Sequence, residues 1–141
     1  MTTSNTTPGT SEQIIRELFD AYNEHDLDAF VGLYADDAFI HGAGEDFDGI
    51  GRVRSFARGQ FEAFPDGAYR IDDLFADGDR VAVRMTFTGT HDRPFFGVDP
   101  TGEEITVTEI AIYRITDGEV AEMWLEADLW GMFQQLRADD N

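Results

Sequence analysis

Apolar residues recur at intervals of three and four up to Pro65, and at every second position from Ala68 onward. That change of period divides the chain into a helical first half and a stranded second half. Ile14, Ile15, Leu18, Phe19 and Tyr22 share one helical face behind Thr10-Ser11-Glu12-Gln13. This is a capping-box pattern in which Thr10 accepts from the Gln13 amide, so a helix is expected over about 11–24. "NEHDLDAF" ends it, and Asp26 can cap a second helix carrying Leu27, Phe30, Val31, Leu33 and Tyr34. "DDAFIHG" reads as a short strand. After a glycine-rich turn, a third amphipathic helix runs through Ile50, Val53, Phe56, Ala57, Phe61 and Phe64 and stops at Pro65. Residues 1–9, small and polar, read as a disordered lead to a single domain over 10–138.

In the second half, Asp77-Gly78-Asp79 carries turn chemistry between two antiparallel strands. Val81, Val83, Met85 and Phe87 take the core face, with Arg80, Arg84, Thr86 and Thr88 opposite. Continued past Gly89, the same parity brings His91 to the mouth of the apolar face. The segment "GTHDRPFFGVDPTGEEI", 89–105, is longer than a hairpin needs, and its Phe95 and Phe96 can fold back as a rim or lid. Or they can pack beneath the loop as a satellite core. In the third strand Ile105, Val107, Glu109, Ala111, Tyr113 and Ile115 share one face. A carboxyl buried in such an apolar row favours its neutral form. It can equally be solvated, or satisfied by Arg84 or a hydroxyl. Ile110 and Ile112 make the other face partly apolar, which points to cover by another element or subunit. For Thr116-Asp117-Gly118-Glu119, a three-residue loop with Gly118 in a left-handed bulge is expected. It turns Ala121, Met123 and Leu125 inward and Glu122 and Glu126 outward, and sets Trp124 beside Ile110 and Ile112 as a homodimer face. A last helix is expected over about 128–137.

Composition narrows the classes. At 141 residues and 42% hydrophobic, the chain can build one core. It has no cysteine, which excludes disulfides and thiolate metal sites and fits a reducing cytoplasm. "MTTSNTTPGT" has neither the basic nor the apolar part of a signal peptide, and no apolar run is long enough to span a bilayer. The 29 acidic residues face ten basic ones, all Arg, for a net charge of −19. Nucleic acid is therefore an unsuitable partner. With 13% aromatic residues the chain is not composed for disorder, so the acid belongs on a folded surface. Such a surface resembles those of salt-in halophiles, since at molar salt the Debye length shrinks to roughly 3 Å and self-repulsion is screened. Arg52, Arg54 and Arg58 on the third helix are expected to make local ion pairs rather than an anion site.

Several stretches resemble one family: "AFPD" at 63–66, "GTH" at 89–91, the loop pattern F-x-G-x-x-P-T-G ending at Gly102, "YRITDG" at 113–118, "EMW" at 122–124 and "DLWGMFQQL" at 128–136. Together they resemble the SnoaL-like polyketide cyclases of the nuclear-transport-factor-2-like superfamily. The resemblance implies an α+β fold, a cone-shaped curved antiparallel sheet wrapped around three N-terminal helices with a C-terminal helix, whose long loop borders a ligand cavity. The expected wall comprises Tyr34, Phe64, Phe87, Phe95, Phe96, Met123 and Leu125, with His41 matching a histidine common at the end of the family's short strand. The resemblance also implies a catalytic aspartate just after the Trp of "EMW", where this chain has Leu125. The first half resembles ketosteroid isomerases, yet their tyrosine and base aspartate fall at Leu18 and Gly42.

Function is left with distinct readings. The cavity binds a small apolar metabolite without chemistry; or Glu109 and His91 perform proton transfer of cyclase, isomerase or dehydratase type on a carbonyl compound; or the fold is a dimerising module without ligand. His91 has a plain alternative, a bond to a loop carbonyl, and His25 reads as a surface turn residue. Histidine spacings of 16 and 50 match no ligand motif, so neither metal nor other cofactor is expected. The charge carries a direct prediction: the melting temperature rises between dilute buffer and molar KCl. A melting curve unaffected by salt contradicts the halophilic reading.

Overall fold

The structure, a computed structural model, describes residues 8–42 and 44–137. Three helices come first: α1 (Pro8–Asn23), α2 (Leu27–Val31) and, after two strands, α3 (Ile50–Ala63). The strands are β1 (Tyr34–His41), β2 (Asp46–Asp48), β3 (Ala68–Asp77), β4 (Arg80–Thr90), β5 (Glu104–Thr116) and β6 (Glu119–Ala127), and α4 (Leu129–Leu136) follows them. They form one curved, unclosed sheet in the order β2-β1-β6-β5-β4-β3. All pairs are antiparallel except β1 with β6, which run parallel. The cone expected from the resemblance is thus present, with one parallel pair inside it.

β4 and β5 form its spine. Their register is unbroken from Arg80↔Arg114 to Thr90↔Glu104, and burial alternates along β5 at every odd residue from Ile105 to Ile115. Two apolar clusters pack on that inner face. One joins α1 to β4 and β5 through Ile15, Leu18, Val83 and Ala111, and the other joins α3 and α4 to the rim through Phe64, Phe87, Ile105 and Leu136. On the outer face Ile110 and Ile112 are exposed.

Several local expectations are corrected. The part of the lead over residues 1–7 lies outside the described residues, but Pro8 and Gly9 already belong to α1. Thr10 therefore sits inside the first turn rather than ahead of it, and Pro8 takes the opening position, where its missing N–H costs nothing. Asp26 does cap α2, accepting from the Ala29 amide at 3.1 Å. That helix lasts five residues, so Tyr34 opens β1 instead of extending it. The short strand β2, which no periodicity announced, pairs with β1 through Phe39↔Asp48.

The β5–β6 turn is the largest difference. It is a two-residue loop, Asp117-Gly118, with both φ positive at 52° and 78°. That geometry matches the twist of the flanking strands. The extra residue is absorbed farther along: Ile115 pairs with Val120 and Arg114 with Glu122, which leaves Ala121 as a bulge. Val120, not Ala121, is therefore buried, while Met123 and Leu125 still face inward.

The rim loop is anchored at its base. The His91 amide donates to the Glu103 carbonyl and the Gly102 amide to the His91 carbonyl, both at 2.9 Å, and the Asp92 amide donates to the Ala63 carbonyl at 2.8 Å. Its tip is a tight turn closed by Phe95 and Val98, with Phe96 at φ 49° and Gly97 at φ 74°. Where β4 crosses the α3–β3 turn, a Cβ built on Gly89 would stand 3.0 Å from Phe64 Cβ and 3.2 Å from Gly67 Cα. Neither neighbour is the far end of a flexible side chain. Gly89→Ala should accordingly lower the unfolding free energy by about 1–3 kcal/mol in urea titrations. Unchanged stability contradicts the tight crossing.

Candidate functional site

Glu109 occupies the middle of β5, opposite Met85 on β4 and Ala127 on β6. Its odd position turns it inward, where it is buried. The Tyr69 hydroxyl, 3.1 Å from both carboxylate oxygens, is its hydrogen-bond partner. Burial pushes the carboxyl from its ordinary value near 4.5 up to about 7, and the Tyr69 hydrogen bond opposes this by favouring the anion.

Two cavities meet at this carboxyl, with volumes of about 90 and 60 Å³. Both are bordered by Phe56, Gln60, Tyr69, Glu109 and Leu125. The first reaches toward α1 and the start of β1, the second toward α4 and the rim loop. Gln60 is fixed by the Tyr22 hydroxyl, which donates to its Oε1 at 2.8 Å. Among the described residues, Glu109 is the one ionisable carboxyl or base that borders either space, and no arginine borders them.

Most of the expected wall is found there. Tyr34 and Met123 line the first cavity; Phe64, Phe87, Phe95 and Phe96 line the second; Leu125 lines both. The rings of Phe95 and Phe96 lie 4.6 Å apart, and Phe96 reaches Phe133 of α4 at 6.0 Å.

The two histidines expected at the site are elsewhere. The parallel β1–β6 pairing matches Ile40 with Met123 and His41 with Trp124, so Ile40 faces the cavity and His41 the outside. There His41 stacks on Trp124 at 5.2 Å and its Nε2 lies 2.7 Å from Glu122, whose carboxyl His41 and then Arg114 hold below its usual range. His91 is fully buried but borders neither cavity. Its Nδ1 accepts from the Thr101 amide at 3.2 Å, Phe64 packs 5.6 Å from its ring, and burial pushes its pKa down. Strand parity carried it inward, but β4 ends at Thr90, and beyond that point the ring serves to pin the loop. His25 also ties segments together: it stacks on Phe61 at 4.3 Å, and its Nε2 lies 2.8 Å from the Gly67 carbonyl. Arg52 and Arg54 make the local pairs expected of them, with Glu45 and Asp28.

Tyr69, Tyr22, Tyr113, Gln60 and Phe56 were not anticipated as site residues. For Tyr69 the cause is a second bulge. Counting back from Asp77↔Arg80 would place it opposite outward Thr88. The register slips between Asp73↔Arg84 and Ile71↔Met85, so Tyr69 faces inward Phe87. The unpaired Asp72 accepts from Thr86 Oγ1 at 2.6 Å and from Arg70 at 2.7 Å, and this holds the bulge outside the sheet.

Comparison with known proteins supplies a context. The sequence profile of the SnoaL-like polyketide cyclase family matches residues 12–136. No curated protein sequence matches the chain. Among solved structures, TsrD from Streptomyces laurentii is 30% identical, with a TM-score of 0.83 over 92% of this chain and 96% of its own. IdmH from Streptomyces antibioticus, provisionally described as a polyketide cyclase, is 31% identical, with a TM-score of 0.78 over 89% and 97%. AclR from Streptomyces galilaeus, provisionally described as a hydroxylase, is 26% identical, with a TM-score of 0.82 over 91% and 96%.

The raised carboxyl has a thermodynamic consequence. Between pH 4.5 and about 7 the folded protein holds a proton on Glu109 that the unfolded chain has released. Stability therefore falls as pH rises through that window, by ~3 kcal/mol in all at about 1.4 kcal/mol for each pH unit. Glu109→Gln removes this component, so the stability difference between variant and wild type should grow with pH up to about 7 and then level off. A difference independent of pH contradicts a buried carboxyl.

Proposed function

Because the chain belongs to the SnoaL-like polyketide cyclase family, we propose that it transfers protons on a small, neutral carbonyl compound, with Glu109 as the base and acid. The observation that carries this reading is the Glu109 carboxyl itself, placed between two apolar cavities with a pKa of about 7. A group that titrates near working pH is populated in both forms and serves equally as acceptor and donor. The aspartate position implied by the family resemblance holds Leu125. Leu125 pairs with Ala111, two residues along β5 from Glu109, and borders the same two cavities. A carboxyl on the neighbouring strand thus stands in the same space.

In the proposed step the Glu109 carboxylate takes a proton from the carbon next to the carbonyl. The C–H electron pair moves into a new C=C bond, and the carbonyl π pair moves to oxygen, giving an enolate and a neutral Glu109. Where a C=C bond adjoins that carbon, returning the proton at the far carbon of that bond re-forms the carbonyl with the double bond shifted, which isomerises the substrate. Attack of the enolate carbon on a second carbonyl forms a C–C bond, and the resulting alkoxide takes the proton back. Both routes leave Glu109 as it began. His91 has no part in this, since it borders neither cavity; its place is at the base of the rim loop.

The second reading, binding without turnover, draws on the apolar wall around Met123 and Leu125. Proton exchange separates the two. Incubated in D2O with a small ketone such as 1-indanone, the wild type should exchange the protons beside the carbonyl, and Glu109→Gln should slow that exchange about 100-fold or more. Equal rates in both proteins leave the binding reading.

A further inference from the structure

All four tyrosines of the chain, Tyr22, Tyr34, Tyr69 and Tyr113, border the first cavity, whereas most of the twelve phenylalanines do not. Two hydroxyls are committed: Tyr22 to Gln60 and Tyr69 to Glu109. Those of Tyr34 and Tyr113 have no hydrogen-bond partner among the described residues. Nor are they sealed, because the one side-chain polar atom there that is both enclosed and partnerless is His91 Nε2. Both residues are otherwise buried, and the open space they border is the first cavity. A phenylalanine would fill either place without leaving a polar group unpaired, which is costly where no partner arrives.

The two tyrosines lie together at one end of the site. Tyr34 opens β1 opposite Val120, and Tyr113 sits opposite Met123, two residues beyond Ala111 on the face that carries Glu109. This end is about 13 Å of strand from Glu109 and away from the rim loop. The second cavity, with Phe64, Phe87, Phe95 and Phe96, extends in the opposite direction.

We propose that Tyr34 and Tyr113 form a paired hydrogen-bond donor that grips a neutral acceptor oxygen, a ketone, enol or phenol, and orients the ligand with its hydrocarbon body toward Glu109. Donors are what the pair offers, since burial keeps both phenols protonated and Tyr34, then Glu109, further disfavour ionisation of Tyr113. The oxygen is neutral because no arginine borders the cavity to meet an anion and Glu109 would repel one. This deepens the reading given under Proposed function and rests on it only for the cavity as ligand site.

The test compares 1-indanone with indane, the same bicycle without oxygen, by following the Met85 and Met123 methyl resonances, both of which face this cavity. Wild type, Tyr34→Phe, Tyr113→Phe and the double variant are titrated with each. The double variant should bind 1-indanone about tenfold more weakly than wild type, and indane unchanged or more tightly; the single variants should fall between. Indane binding also reports that the variant cavity is intact. The proposal is overturned if both ligands weaken together, if neither responds, or if wild type shows no saturable binding of 1-indanone. Glu109→Gln should keep the wild-type ratio of the two dissociation constants. Loss of the ratio there would put the oxygen at Glu109 and overturn the assignment. Discrimination without exchange in D2O upholds the donor pair while the proton-transfer reading fails, and exchange without discrimination overturns the donor pair alone.

Discussion

A carboxyl removed from water must find a cation, find hydrogen-bond donors, or keep its proton, and the interior of this protein leaves Glu109 mainly the third course. Its ten arginines are spent elsewhere, several on ion pairs with surface carboxylates, and none borders the cavities. An arginine beside Glu109 would hold it ionised and make it a structural anion. One phenolic hydroxyl offsets only part of the desolvation, and the carboxyl settles at about 7. The rest of the site follows from that balance. The walls must be apolar enough to keep the proton on, and open enough for a molecule to reach it.

Two single-residue bulges determine which side chains surround that carboxyl. Asp72 slips the register of β3 so that Tyr69 turns toward Glu109, and Ala121 slips that of β6 so that Met123 and Leu125 face the cavity despite a two-residue turn. Each insertion reverses the facing of everything beyond it on its strand. Both also add twist at the flanks of the β4–β5 spine, where the sheet curls around the helices. A sheet without them would still bury β5, but would present Arg70 and Trp124 to Glu109 in place of Tyr69 and Leu125.

This explains which features the sequence made legible. Glu109 was readable as inward because β4 and β5 alternate without interruption, so a period of two sufficed. The turn at Gly78-Asp79, the Asp26 cap and the rim loop were readable because local chemistry specifies them. What failed depends on distant pairing. His41 was misplaced because the facing of β1 is set by its parallel partner β6, which lies some 80 residues away. His91 was carried one residue past its strand, where alternation no longer governs. Tyr69 was missed because nothing in "YRIDDLF" marks Asp72 as the unpaired residue; its support comes from Thr86 on the next strand. The chemical consequence is a change of partner, with Tyr69 and not His91 beside Glu109.

The most direct measurement is a carbon-13 NMR titration of side-chain carboxyls in molar KCl, with Glu109→Gln to assign the resonance that disappears. The account predicts a midpoint near 7 for Glu109, apart from the other glutamates. A midpoint at the ordinary value near 4.5 would mean that water reaches the carboxyl and would contradict the dry site on which the proposed chemistry depends.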